Sequence, residues 1–222
     1  MSPLSKHGTA PISDALDQLG VNGGLPGLAR VSGRGVVSGP AFTLRFEQVE
    51  PGQPGPAADF IDDVPAGSVI VIANEGRTHC TVWGDILTGV ALARGIAGTV
   101  IDGCCRDVDD TRELGYSVWS LGGYMKSGKN RVRLAEVQVP VVVGGVLIRP
   151  GDVVCGDGSG VVVVPAELAA DVADRVERIA AMEALVRADL DEGVPLAEAR
   201  RRRGYNAAAL PTAADRPSLR AS

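Results

Sequence analysis

Apolar positions along the chain follow two rhythms, a helical one at both ends and a strand-like one between. Over residues 9–20, Ile12, Leu16 and Leu19 fall on one helical face, with Ser and Thr near the start and Gly20 after the end. Residues 21–35 are glycine-rich and are expected as loop. Residues 36–46 have strand composition, with an irregularity expected at Gly39-Pro40. The stretch 50–56 holds three prolines and two glycines, which predicts a loop. An alternation of strand and helix follows. SVIVIA at 68–73 is a short apolar strand. GDILTGVALAR at 84–94 is a helix, with Ile86, Val90 and Ala93 expected on one side. GTVID at 98–102 is a buried strand, 108–114 a short helix, 116–120 a strand and 121–131 a Gly/Lys-rich loop. Four valine-rich strands are expected at 139–143, 146–148, 152–155 and 161–164. Turns at Gly144-Gly145, Pro150-Gly151 and 156–160 separate them. Pro165 opens a long amphipathic helix in which Leu168, Val172, Val176, Ile179, Met182, Val186 and Leu190 keep three-to-four spacing. A second helical piece covers 196–203.

Length and composition narrow this picture. At 222 residues with 45% apolar content the chain suits one domain, expected over residues 1–210, with a disordered tail at 211–222. The formal charge of −5 and the pI near 5.1 argue against nucleic acid as a partner. No apolar run is long enough to span a membrane, and the opening MSPLSKHGTAP is too polar for a signal peptide. The expected location is the cytoplasm. The four cysteines form no CxxC pair, and His7 and His79 are the only histidines. A zinc ribbon and a histidine-cluster zinc site are both hard to build from that set.

The chemistry-bearing residues gather between 84 and 110. Trp83-Gly84-Asp85 begins a helix, whose free amides at Asp85, Ile86 and Leu87 suit a carboxylate. Asp102 closes the 98–102 strand, and Arg106-Asp107 follow it. Strand ends in open α/β sheets are common ligand sites. One chemistry that uses such groups is cleavage of a 4-hydroxy-2-oxo acid, which leaves a pyruvate enolate whose charge must be held. A lysine Schiff base, zinc on histidines, or a hard cation on carboxylates beside an arginine can do this. Of the three lysines, Lys6 is terminal, and Lys126 and Lys129 lie in the glycine-rich loop, where desolvation is not expected. The histidine count disfavours zinc. The third solution has candidates in Arg106 and Asp107.

These residues carry a family resemblance. Gly84-Asp85, twenty intervening residues, then Arg106-Asp107-Val108-Asp109-Asp110 resembles a Gly-Asp-x20-Arg-Asp-x2-Glu/Asp signature. It belongs to the metal-dependent 4-hydroxy-4-methyl-2-oxoglutarate / 4-carboxy-4-hydroxy-2-oxoadipate aldolases of the RraA-like superfamily. ISDALDQLG, ARGIAGTVIDG, RPGDVVCGDGSGVVVVP and the long helix extend the likeness over residues 9–205. The resemblance implies a compact α/β/β sandwich with a long C-terminal helix, assembled as a homotrimer or homohexamer. It implies that Asp107 ligates Mg2+ or Mn2+, that Arg106 stabilises the enolate oxygen, and that the amides of Ile86 and Leu87 bind the pyruvyl carboxylate beside Gly84. Asp85 would orient or deprotonate a bound water, and Asp110 would be a supporting carboxylate. The implied activity is cleavage of 4-hydroxy-2-oxo dicarboxylic acids to pyruvate and a second oxo acid, with oxaloacetate decarboxylation on the side. The rival reading is a non-catalytic RraA-type regulator that binds an RNA-degradation enzyme; such regulators lack the aspartate after the arginine. A third is recruitment of the fold to another enolate-type reaction. The sequence departs from the pattern at Cys104-Cys105, where small or aliphatic residues are usual, and along RFEQVEPGQPGPAADF. The family's neighbouring-subunit glutamate has no clear counterpart, although Glu47 and Glu50 lie in that departing stretch.

Each candidate also has a bland reading. Asp85 can cap its helix and Asp102 can cap a turn. Lys126 and Lys129 can be solvated, with one of them meeting the substrate's far carboxylate as the alternative. GDGSG at 156–160 reads as a tight strand turn rather than a phosphate loop. Arg200 to Arg203 read as a solvated helix end, Cys104 and Cys105 as packing residues, and His79 as a pocket-lining residue at most.

Overall fold

A computed structural model describes residues 3–50 and 59–205. Four parallel strands form its centre, in spatial order β5 (Val118–Gly123), β4 (Gly98–Cys105), β3 (Val69–Thr81) and β2 (Val37–Gln48). β1 (Ala29–Ser32) pairs antiparallel with β5 and closes that edge. β2 has three partners. Its residues 37–40 pair with β9 (Val153–Gly156), residues 41–45 with β3, and its last five positions with β6 (Val132–Val137). The change of partner falls at Gly39-Pro40. A Cβ on Gly39 would lie 2.1 Å from Gly67 O, so only glycine lets the chain pass there. β9 turns into β10 (Val161–Val164), and β7 (Val141–Val143) pairs with β8 (Val146–Ile148) as a separate hairpin.

Both faces of the parallel sheet are covered, which is why its strands read as unbroken apolar runs. Phe42, Leu44, Ile70, Ile72, Ile101 and Val118 point to one side and pack with Trp83, Ala91 and Ile96 in and around α2 (Asp85–Ala93). Ala41, Val69, Val71, Val100 and Trp119 point to the other, against Val141, Val143, Val146 and Ile148 of the hairpin. Helices lie on one face and strands on the other, an α/β/β arrangement as expected. A third core joins α1 (Thr9–Gln18) and α4 (Ala169–Asp191) to β10 through Ile12, Leu16, Val162, Val164, Val172 and Ile179. Each of these fully buried aliphatic side chains contributes about 1.5–3 kcal/mol by leaving water.

Several expectations are corrected. β1 and β6 fall wholly or partly outside the anticipated strands. Both are short and mostly unburied, β6 having one buried side chain in six positions, and charged residues interrupt them, so no apolar run announces them. β3 and β4 outlast their apolar runs, and β4 ends at Cys105, placing Asp102 inside the strand. In α2 the buried residues are Thr88 and Ala91, with Leu87 and Val90 packed on the core, while Ile86 is 73% exposed. The first turn of α2 opens on a cavity, so Ile86 faces that cavity rather than the sheet. In α4, Leu190 is exposed and Asp189 is buried, held by two bonds from Arg203 of α5 (Leu196–Arg203), Nε to Oδ2 at 2.9 Å and Nη2 to Oδ1 at 2.6 Å. The rest of the basic run is used locally: Arg201 and Arg202 pair with Glu198, and Arg200 stacks over Tyr205. The expected tail at 211–222 lies outside the described residues. Among the described residues no helix is long and apolar enough to cross a membrane.

The turn at 156–160 joins β9 to β10, and its aspartate caps α1 from a distance. Asp157 Oδ2 accepts from Thr9 N–H and Oδ1 from Thr9 Oγ1, both at 2.8 Å. Burial pushes the Asp157 carboxyl up, but bonds from Thr9 and Ser159 outweigh it and hold the group below its ordinary 3.8. The stabilisation is therefore complete above pH 3.8 and is lost as pH falls through the folded-state value. Replacing Asp157 by alanine is expected to lower the unfolding free energy by about 1–2 kcal/mol at pH 7. Urea titrations should show the gap between wild type and variant closing below pH 4, the order of an ordinary carboxylate pKa.

Candidate active site

β3 and β4 are adjacent and parallel, so the segments that leave them emerge side by side. After Thr81, Val82-Trp83-Gly84 leads into α2. After Cys105, Arg106-Asp107 leads into α3 (Val108–Leu114). Arg106 N–H donates to Trp83 O at 3.0 Å and ties the two exits together. Asp107 adopts φ 52°, ψ 43°, a left-handed conformation that costs a non-glycine residue about 1–2 kcal/mol. The carboxylate lies over Gly84: Oδ2 is 3.1 Å from Arg106 Nε and accepts Asp85 N–H at 3.4 Å. A Cβ on residue 84 would sit 2.5 Å from that oxygen and 3.2 Å from Arg106 Nε. Gly84 is extended, a conformation open to any residue, so its requirement for glycine comes from close approach.

These residues border a cavity of about 210 Å³. Gly84, Asp85, Ile86, Leu87 and Arg106 line it together with Phe46 and Val132 of β2 and β6, and with Ser127, Gly128 and Lys129 of the rim loop before β6. The rim is anchored: Thr81 N–H donates to Lys126 O at 3.0 Å, and Arg131 Nη1 donates to Ser127 O at 3.0 Å. Thr88 N–H is the first in α2 to bond back, to Gly84 O at 3.0 Å. The preceding amides, of Ile86 and Leu87, belong to the unpaired first turn, where an anion is favoured.

Most of the site residues anticipated from sequence thus come together: Gly84, Asp85, Ile86, Leu87 and Arg106 line the cavity, and Asp107, outside the lining itself, touches Gly84, Asp85 and Arg106. Asp110 is exposed on α3 and does not line the cavity. Asp102 faces elsewhere; its Oδ2 accepts Gly76 N–H at 3.0 Å and burial raises its pKa, in keeping with a structural role. His79 is exposed and lies off the cavity lining. Cys104 and Cys105 are buried and also off the lining, and burial raises both thiols, so neither is poised as a thiolate. The walls from Phe46, Val132 and Ser127 were not anticipated. They depend on the β2–β6 pairing and on the contact between Thr81 and Ser127, which no local pattern encodes. Gly128 was the available signal, since a Cβ there would lie 2.6 Å from Thr81 O.

The donor set bears on metals. Among the described residues no group of three or more His, Cys, Asp and Glu side chains is arranged to hold an ion. A closed zinc site does not fit. Asp107 engages Arg106 and Asp85 through Oδ2 alone, is partly exposed, and adjoins the lining residues Gly84, Asp85 and Arg106. One such carboxylate fits a hard cation that keeps most of its waters, as Mg2+ does.

Residues 9–163 match the family model described as RraA-like: Aldolase/RraA. The chain is 42% identical over 204 residues to Protein DlpA of Legionella pneumophila, covering 90% of this chain and only 33% of that protein, so it spans about a third of that relative's length. It is 34% identical over 157 residues to a Halalkalibacterium halodurans protein provisionally named 4-hydroxy-4-methyl-2-oxoglutarate aldolase, covering 71% of this chain and 72% of the relative. Among solved structures, an uncharacterized protein from Pseudomonas syringae pv. tomato superimposes with a TM-score of 0.83 at 46% identity, over 89% of this chain and 94% of the other. Streptomyces coelicolor RraAS2, described as an unusual member of the RNase ES inhibitor RraA protein family, superimposes with a TM-score of 0.75 at 31% identity, over 83% and 93%.

Two glycines of one stretch should respond oppositely to alanine. Gly84→Ala forces Asp107 and Arg106 aside and is expected to cost about 1–3 kcal/mol in urea unfolding. At Gly89, inside α2, a Cβ meets nothing within 4 Å. Gly89→Ala is expected to stabilise the protein by about 0.5–1 kcal/mol.

Proposed function

The chain belongs to the RraA-like (Aldolase/RraA) family, and from that premise we propose that it is a divalent-metal-dependent aldolase. It cleaves 4-hydroxy-2-oxo dicarboxylic acids, such as 4-hydroxy-4-methyl-2-oxoglutarate, to pyruvate and a second oxo acid. The observation that carries this reading is the juxtaposition of three groups: the unpaired amides of Ile86 and Leu87 and Arg106 in one cavity lining, and the Asp107 carboxylate against Gly84, Asp85 and Arg106 of that lining. Related proteins with the same provisional name support it.

In this reading the substrate's 2-oxo carboxylate binds the Ile86 and Leu87 amides. Arg106 donates to the 2-oxo oxygen and stabilises the negative charge that develops there. Asp85, in the same lining, takes up the proton of the C4 hydroxyl through water. The C4 oxygen becomes a carbonyl, the C3–C4 bonding pair passes into the enolate, and C3 then takes a proton to give pyruvate. Asp107 would hold Mg2+ or Mn2+, and the cation supplies further positive charge beside the enolate. Lys129, in the same lining, meets the second carboxylate. Oxaloacetate passes through the same enolate on losing carbon dioxide, so its decarboxylation is expected as a side reaction. Asp110 has at most an indirect part, consistent with its exposure. We take the working form to be a homotrimer or homohexamer.

Likeness to RraAS2 favours a second reading, a protein-binding regulator without catalysis. The assay that separates them incubates the purified protein with 4-hydroxy-4-methyl-2-oxoglutarate and with oxaloacetate, with and without Mg2+, and follows pyruvate. Metal-dependent pyruvate release is expected from both; none from either substrate contradicts the aldolase reading. Asp107→Ala is expected to abolish release. Arg106→Lys should raise the barrier by about 3 kcal/mol, on the order of a hundredfold in rate, because a directed donor to the oxyanion is lost.

A further inference from the structure

The chemistry above makes no use of Thr88, yet its side chain is fully buried in the first turns of α2 and its hydroxyl has a full set of partners. Thr88 Oγ1 donates to Gly84 O at 3.0 Å, accepts Trp83 Nε1–H at 2.9 Å, and lies 3.4 Å from Thr111 Oγ1. A hydroxyl has one proton and two lone pairs. With its own proton on Gly84 O, the contact to Thr111 must use the Thr111 proton. Thr111 is buried too and belongs to α3. Its N–H donates to Asp107 O at 2.9 Å, and its carbonyl accepts Ser32 Oγ at 2.9 Å. Each threonine stands four residues after the one that immediately precedes its helix, Thr88 after Gly84 and Thr111 after Asp107.

The two halves of the site are therefore joined at three levels, the first being the backbone bond from Arg106 N–H to Trp83 O at 3.0 Å. In the cavity, Asp85 N–H reaches Asp107 Oδ2 at 3.4 Å, a long bond between partly exposed groups. Beneath it, the two hydroxyls meet between the same helices in the core, also at a long 3.4 Å but shielded from water. Valine has nearly the same shape as threonine and carries no polar atom into the interior, so packing alone would not call for a hydroxyl here. The hydroxyl's use lies in what it connects.

We propose that Thr88 is a positioning residue whose hydroxyl sets the spacing between the Ile86–Leu87 amides and the Arg106-Asp107 pair. The proposal rests on the aldolase reading of the cavity. A substrate held by its carboxylate at one half and by its oxo oxygen at the other senses that spacing, and displacement of about 1 Å can cost a hundredfold in rate.

Three variants test it. Thr88→Val keeps the shape and removes the hydroxyl, Thr88→Ser keeps the hydroxyl, and Thr111→Val cuts only the link between the helices. Two readouts are taken well below each variant's Tm: kcat/KM for pyruvate release, and the affinity for oxalate, a planar mimic of the pyruvate enolate, in the presence of Mn2+ by calorimetry. Thr88→Val and Thr111→Val are expected to lose on the order of 10- to 100-fold in kcat/KM and about tenfold in oxalate affinity, with Thr88→Ser within about threefold of wild type. If Thr88→Val does not fold, Thr111→Val carries the same expectation. A lowered Tm with unchanged kcat/KM and oxalate affinity overturns the proposal and leaves Thr88 a packing residue. If that occurs while Asp107→Ala is inactive, the aldolase reading stands without it. If wild type releases no pyruvate, the aldolase reading falls and the oxalate affinities alone decide the positioning role. Wild type that binds no oxalate overturns both.

Discussion

The Asp107 carboxylate occupies the space that a side chain at residue 84 would fill, its Oδ2 lying 2.5 Å from where that Cβ would stand. Much of the site depends on this approach. It brings Arg106 and Asp107, at the end of one strand, against the start of the helix that follows the neighbouring strand. It requires glycine at 84 although the backbone there is extended. It is reached through a left-handed turn at Asp107, a conformation that aspartate tolerates better than most residues. The Arg106–Asp107 ion pair is partly exposed on both sides and contributes less than about 1 kcal/mol to stability. The fold therefore holds a mildly strained turn for little direct gain, a combination typical of functional sites.

What keeps the two strand exits in place is the sheet behind them. β3 and β4 are packed on both faces, by helices on one side and the β7–β8 hairpin on the other. Their apolar residues alternate so closely that a one-residue slip would exchange the two cores. The register that pairs 69–73 with 98–102 is thereby fixed; beyond it the register shifts twice before Thr81 meets Cys104, and the bond from Arg106 N–H to Trp83 O ties the two exits together. β2 adds the wall. By leaving β9 at Gly39-Pro40 and ending against β6, it brings Phe46 and Val132 to the cavity.

Elements with a strong period were legible in the sequence. The α1 stripe of Ile12 and Leu16, the SVIVIA strand, the 108–114 helix and the 196–203 helix fall where the pattern puts them. The short, little-buried strands β1 and β6 were not, because they are specified by partners far away in sequence. The face of α2 was misjudged at Ile86 for a related reason. Helical periodicity shows that an apolar stripe exists, but a cavity at the first turn redirects one member of it. Within the site, the Gly-Asp and Arg-Asp motifs could be found because they are local. Phe46, Ser127 and Lys129 reach the cavity only through tertiary contacts, and the sequence favoured reading Lys129 as a solvated loop residue.

The central claim is that one cavity joins a carboxylate nest on α2 to a cation carboxylate at Asp107. A crystal structure grown with Mn2+ and oxalate tests this most directly, because manganese can be located by its anomalous scattering. The account predicts a manganese peak on Asp107, with oxalate bridging the ion to the Ile86 and Leu87 amides and to Arg106. Manganese or oxalate bound elsewhere, with Asp107 still turned only toward Arg106 and Asp85, would contradict it.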